Sequence, residues 1–225
     1  MSYIIVTGAT GGLAQAIINL LLQGDDHLVL FGRDITKLQQ LKLRCSDTAS
    51  IEKVNLDCYS ECENIFSRQL LERGTPKLVI NCAGSGLFGQ LDKLDSKKIE
   101  STLSNNLLSV INPCKVLFEP MKKAGGTIIN VMSTAALKGK AGESIYCAAK
   151  WGVRGFTESL REEAKGSKLR VVAVYPAGMN TGFWDDSAAD YPTETFMSAE
   201  DAAAMIVNVL PQAEKGYISE ITLSR

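Results

Sequence analysis

Three side chains in the second half of the chain have the types and spacing needed for proton transfer: Ser133, Tyr146 and Lys150. Tyr146 and Lys150 stand four apart in the amphipathic stretch IYCAAKWGVRGFTESLREEAK, so they share one helical face about a turn apart. A phenol titrates at about 10, and a nearby ammonium favours its ionised form. Such a Tyr can exchange a proton near neutral pH while a Ser hydroxyl holds the same substrate oxygen. The pair by itself is weak, because six tyrosines among many lysines make a chance Tyr-x-x-x-Lys an ordinary event. Two neighbours add weight. Ser133 closes the β-branched run TIINVM, and a phosphate-binding signature stands at the other end of the chain.

That signature is Gly8-Ala9-Thr10-Gly11-Gly12-Leu13-Ala14, between the β-rich run Tyr3–Thr7 and the helical pattern QAIINLLLQG. Glycines let backbone approach an anion, and a helix N-terminus offers unpaired N–H groups and a favourable dipole. The spacing fits T-G-x-x-x-G-x-A or G-x-x-G-x-x-A, and a plain Gly-containing turn is the bland alternative. The next strand, His27–Phe31, runs into Gly32-Arg33-Asp34. Dinucleotide-binding folds put an acid at this strand end to hold a ribose hydroxyl, whereas Arg suits a 2′-phosphate. Gly32 followed by Arg33 therefore points to NADP(H), with NAD(H) possible. Asp34 reads as the N-cap of ITKLQQLKLRC. Arg33 read as an ordinary solvated loop charge is the alternative.

Strands and helices must then position these groups, and the chain supplies them in alternation. SIEKVNLD reads as a third strand, SECENIFSRQLLERG as its helix and KLVINCAG as a fourth strand. A long helical pattern from Ser96 to Lys123 carries Asn105 and Asn106 and is expected to break at Pro113. TIINVM, the Tyr-Lys helix, KLRVVAVYP, the helix AEDAAAMIVNVL and a last strand YISEITL follow. This order specifies an α/β fold: one Rossmann-type domain over residues 1–225, with a doubly wound parallel sheet of about seven strands. Ligands of such sheets bind at the strand C-termini, which gathers Gly8–Ala14, Arg33, Asp57, Asn81–Gly84, Ser133 and Thr181 into one crevice.

The bulk numbers narrow the partners. A net charge of -1 gives no attraction to nucleic acid or an anionic membrane. No apolar run reaches transmembrane length. Without a signal peptide, the six cysteines are expected to be reduced thiols in a cytoplasmic protein. Cys58 and Cys62 have no second pair or adjacent His to make a zinc site, so no metal is expected. His27, the only histidine, lies far in sequence from Ser133 and reads as a strand residue rather than part of a Ser-His-Asp set.

Together these residues resemble the classical short-chain dehydrogenases/reductases, over essentially the whole chain. Thr7–Ala14 is similar to the family's TGxxxGxG, with Ala14 replacing the third Gly. Asp57 matches the acid after the third strand, Asn81-Cys82-Ala83-Gly84 resembles NNAG, and SNNLLSV puts Asn106 in the register of the catalytic Asn. Pro176-Ala177-Gly178-Met179-Asn180-Thr181 departs from P-G-x-x-x-T at Ala177, and the chain lacks the Gly-Gly tail of many members. The resemblance implies a catalytic set of Asn106, Ser133, Tyr146 and Lys150. It implies cofactor contacts from Gly8, Thr10, Gly11, Gly12, Leu13, Arg33, Asp57, Asn81, Ala83, Gly84, Tyr146, Lys150, Pro176 and Thr181. On that pattern Lys150 holds the nicotinamide ribose and keeps the Tyr146 pKa low. Tyr146 moves the alcohol proton, Ser133 holds the substrate oxygen and Asn106 fixes a relay water. Asp57 meets the adenine amino group, and Thr181 meets the nicotinamide carboxamide. The family also implies a homodimer or homotetramer joined through the long helix and the Tyr-Lys helix.

The expected activity is hydride transfer between NAD(P)(H) and a small carbonyl or alcohol substrate. A nucleotide-sugar epimerase shares Tyr-x-x-x-Lys but needs a C-terminal substrate domain for which little chain remains after Thr181. A non-catalytic NADP-binding sensor is the other alternative, though such proteins usually lose the Tyr or Lys. The substrate should be bounded by 85–91, 135–144 and the loop 182–197. Phe183, Trp184, Tyr191 and Phe196 make that loop either an apolar lid or a segment packed onto the body. Asp185, Asp186 and Asp190 argue against strongly anionic substrates.

Overall fold

The computed structural model describes residues 2–185 and 191–225. Seven strands form one parallel sheet: β1 (Tyr3–Thr7), β2 (His27–Gly32), β3 (Ala49–Lys53), β4 (Leu78–Asn81), β5 (Gly126–Val131), β6 (Leu169–Pro176) and, last in the chain, β9 (Glu220–Leu223). Their spatial order is β3-β2-β1-β4-β5-β6-β9, and a separate short parallel pair joins β7 (Met179–Asn180) to β8 (Met197–Ser198). The order reverses between β1 and β4, which opens a crevice above their C-terminal ends.

Alternation along each strand sorts its side chains into two cores. Ile4 and Val6 of β1, with Leu28 and Leu30 of β2, meet the helices α1 (Gly12–Leu21), α2 (Ile35–Cys45) and α7 (Ala199–Lys215). Tyr3, Ile5, Val29 and Phe31 face the other way, toward α3 (Tyr59–Arg73), α5 (Ser109–Ala124) and α6 (Ser144–Glu163). Both faces are covered, which is why these strands read as nearly continuous apolar runs.

Several boundaries differ from the sequence reading. β3 stops at Lys53, and Val54–Asp57 leaves the sheet to wall the crevice, held first by the Val54 N–H donating to the Gly32 carbonyl (3.0 Å). The last strand begins at Glu220 rather than Tyr217. The largest difference lies in the long helical segment, which does not break at Pro113. α4 (Ser96–Leu103) passes through a π-helical turn at Ser104–Leu108 into α5, which runs through both Pro113 and Pro120. Proline keeps a φ that a helix accepts and removes one N–H bond, so buried packing of Pro113 can hold the helix straight through it. The wider π turn displaces backbone bonding instead, and the Ser109 hydroxyl donates to the Asn105 carbonyl (2.6 Å). Among the described residues no helix is long and apolar enough to cross a membrane.

Candidate active site

The Gly-rich turn occupies the crevice floor. Gly8 has φ +62, and a Cβ there would sit 2.7 Å from the Ala83 Cα and N, so only glycine lets β1 and β4 deliver their loops this close. Gly11 is the N-cap of α1, whose first N–H groups point into the crevice without intrahelical partners. A Cβ on Gly12 would lie 2.8 Å from the Thr181 Cγ2, so Thr181 packs directly over the start of α1. Ala14 is buried at the contact between α1 and the sheet, where a small side chain suffices, and Leu13 is buried beside it. The Ala177–Met179 path departs from the resembled pattern yet still delivers Pro176 and Thr181 to the cavity.

At one end a trough of about 290 Å³ is lined by Gly8, Thr10, Arg33, Lys37 and Asp57, with Cys82–Gly84 and Asn105 opposite. Exposed Arg33 reaches across it, its Nη1 donating to Asn105 Oδ1 (2.8 Å). Asp34 accepts from the Lys37 N–H (3.0 Å), the N-cap role read from its position before α2. Asp57 accepts from the Ser104 hydroxyl (3.0 Å). Asn81 stands apart from the other nominated cofactor residues. It is wholly buried in β4, donates to Asn130 Oδ1 (2.9 Å) and accepts from Thr7 Oγ1 (3.4 Å), tying three strands together beneath the cavity rather than lining it.

The other end is a cavity of about 490 Å³ containing Ser133, Tyr146 and Lys150. Ser133 follows β5 by two residues, caps the 3-10 turn Thr134–Ala136 and accepts from the Ala135 N–H (3.1 Å). Its hydroxyl is near enough to the Tyr146 phenol to influence it. Lys150 Nζ lies 5.6 Å from the centre of the Tyr146 ring. Asn106 is fully buried in the π turn, donating to the Ser85 and Thr102 carbonyls (both 2.8 Å), while its Oδ1 finds no protein donor. A Cβ on Gly84 would fall 2.6 Å from that oxygen and 3.2 Å from Lys150 Nζ, so the missing side chain leaves these two polar groups facing a shared space. An unsatisfied buried acceptor beside an ammonium suits a bound water or cofactor hydroxyl there.

The electrostatics correct one expectation. Burial pushes the Tyr146 phenol well above its ordinary value; the Ser133 hydroxyl opposes this, and Glu143 and Cys147 add to it. Lys150 does not hold the phenol low. Burial instead drives Lys150 itself down to about 8, with Cys82 opposing. For each group the loss of water outweighs the contact that opposes it.

The aromatic residues of the 182–197 loop pack on one another, and Phe183 and Trp184 also wall the cavity. Phe88 stacks on Trp184 (5.2 Å between centroids) and meets Tyr191 edge-on (5.4 Å). Phe183 lies 5.7 Å from Tyr146. Asp185 lines the cavity; Asp186 and Asp190 lie outside the described residues. Lys37 went unnoticed in the sequence, and Phe88 and Glu143 fell within the bounding stretches 85–91 and 135–144 without being singled out. Lys37 looks like an ordinary first-turn helix charge and Glu143 like a loop charge ahead of α6, and Phe88 sits in a loop with no periodic signal. His27 pairs with Ser50 (3.0 Å) at the N-terminal end of β2, away from the crevice. The described residues hold no group of three or more His, Cys, Asp or Glu side chains able to bind a metal.

Comparison with known proteins agrees with this architecture. The short chain dehydrogenase family model matches residues 2–192, and the chain belongs to that family of oxidoreductases. It is similar to the sepiapterin reductase of Chlorobaculum tepidum, 28% identical over 98% of this chain and 94% of that one. Among solved structures, a short-chain dehydrogenase/reductase from Vibrio parahaemolyticus is 38% identical with a TM-score of 0.88, covering 99% of this chain and 96% of that one. An alcohol dehydrogenase from Thermococcus sibiricus, solved with 5-hydroxy-NADP, shares the fold with a TM-score of 0.90 at 19% identity, over 99% and 96%.

Proposed function

We propose that the chain reduces a small carbonyl substrate with NADPH, Tyr146 supplying the proton. The observation that carries this reading is a pair of adjoining cavities that share Thr10, Gly11 and Gly84, one with Arg33 and Lys37 beside Asp34 and Asp57, the other holding Ser133, Tyr146 and Lys150. Between them, Gly8 and the N-terminus of α1 form a cradle suited to a pyrophosphate. The fold neighbour from Thermococcus was solved with an NADP derivative, and the Chlorobaculum relative is named a reductase, which fits the same reading.

A nicotinamide held in this crevice would supply the hydride for the carbonyl carbon. Ser133 and Tyr146 both present hydroxyls to the substrate oxygen, and as that oxygen gains charge the Tyr146 proton passes to it. Lys150, with Asn106 across the gap over Gly84, is placed to hold a ribose hydroxyl and return a proton to Tyr146 through the shared space. A phenol raised by burial stays protonated at neutral pH, so Tyr146 enters the reduction as the proton donor. We further propose a homodimer or homotetramer as the working form.

The cofactor assignment is tested with Arg33→Ala. NADPH binding should weaken by roughly 1.5–3 kcal/mol, the range for hydrogen bonds to charged groups, while NADH binding barely changes. Equal losses, or a wild-type preference for NADH, would overturn it. A panel of aldehydes and ketones, followed by loss of reduced-cofactor absorbance, then tests the reaction class.

A further inference from the structure

A carboxylate in the substrate cavity has no part in the chemistry described above. Glu143 is 4% exposed and lines the cavity three residues before Tyr146, on the same face of the first turn of α6. A buried charge is costly unless well paired, and this one is paired poorly. Tyr191 donates to Oε1 at a long 3.4 Å, and Lys140 Nζ stands 3.8 Å from Oε2, itself partly in water. The side chain does not cap α6 either: Glu143 is the N-cap residue, yet its carboxylate takes no helix N–H. Its effect on the neighbouring machinery is adverse in the free protein, since its charge opposes ionisation of both Tyr146 and Tyr191. A carboxylate so placed acquires a use when a cation arrives to neutralise it. The cavity wall around it is aromatic, from Phe183 and Trp184 with Phe88 behind, and carries a second acid in Asp185.

Resting on the reductase reading of this same cavity, we propose that Glu143 is a specificity-determining residue. It accepts hydrogen bonds from a cationic N–H group, an ammonium or amidinium, borne by a flat carbonyl substrate that lies against Phe183 and Trp184. The pair would form out of water, where charge-assisted bonds are strongest. The aromatic faces add both apolar contact and attraction for the cation.

The test compares two ketones of matched shape, para-(aminomethyl)acetophenone as its ammonium and neutral para-ethylacetophenone. Their binding is measured by calorimetry with NADP+ present, so that neither turns over. The wild type should bind the ammonium ketone about tenfold or more tightly than the ethyl ketone, and Glu143→Gln should bring the two within roughly threefold. Lys140→Met, which removes the ammonium beside the carboxylate, should widen the preference. Equal binding in the wild type, a preference that survives Glu143→Gln, or a narrower preference in Lys140→Met would each overturn the proposal. NADPH consumption with the ethyl ketone is followed separately. A chain that selects the ammonium ketone yet oxidises no NADPH with either compound keeps this inference and loses the reductase reading.

Discussion

At the scale of single residues the site is governed by desolvation. Tyr146 and Lys150 are each pushed toward the neutral form, the phenol upward and the ammonium down to about 8. For Lys150 this has a consequence for stability. Its folded value lies below the 10.5 of a free lysine, so the unfolded chain binds more protons between those limits and stability rises with pH through that window. The burial cost is therefore present in full below about 8 and fades toward 10.5. Lys150→Met should lose activity yet melt several degrees higher at neutral pH, an advantage that shrinks as pH rises through this window. A Met variant that melts lower than wild type at neutral pH would contradict it. Residue types and a helical interval brought Ser133, Tyr146 and Lys150 forward as candidates, the Gly-rich signature and the family resemblance added weight, and the fold gathers all three in one cavity. Burial was not visible there. Spacing brought the ammonium near the phenol on paper, but the sign of the shift followed from the loss of water, which only packing reveals. Glu143 lay within the expected substrate boundary 135–144 but was not singled out, for the same reason.

At the scale of elements, the βα alternation was legible because two-sided burial writes β-branched apolar runs, while amphipathic helices write a different period. The turn between β1 and α1 was legible in its glycines, and its geometry makes a firm demand. Alanine at Gly8 would have to adopt a left-handed φ of +62 and push against the backbone of Ala83. Gly8→Ala should weaken NADPH binding by about tenfold or more and lower stability by about 1–2 kcal/mol, read by cofactor titration and thermal melting. Unchanged cofactor affinity would show that the cradle does not approach the phosphates. The π turn at Ser104–Leu108 was not legible. No composition marks a wider turn, whereas Pro113 advertises a break that packing then overrides. Its effect on the site is direct, since it turns Asn106 inward to Gly84 and leaves Asn105 at the surface against Arg33.

At the scale of the whole molecule, one sheet gathers the trough of Arg33, Lys37 and Asp57 and the cavity of Ser133, Tyr146 and Lys150 at its C-terminal edge, and exposed apolar side chains remain on the helices beside it. Leu103 and Leu108 flank the π turn with apolar side chains in water, and Trp151 on the adjoining α6 is 47% exposed. Exposed apolar side chains on packed helices are the usual material of a self-complementary interface. Sedimentation should therefore show a dimer or tetramer at micromolar concentration, and Trp151→Glu should shift it toward monomer; a wild-type monomer would contradict this. The central claim is that Tyr146 is the proton donor of a carbonyl reductase, and the most direct measurement is single-turnover NADPH oxidation by Tyr146→Phe with a carbonyl substrate found in the panel. The substitution keeps the ring against Phe183 and removes only the exchangeable proton. NADPH should bind Tyr146→Phe nearly as tightly as wild type, while the hydride-transfer rate falls by roughly two to four decades. A rate within threefold of wild type, with cofactor still bound, would contradict the account.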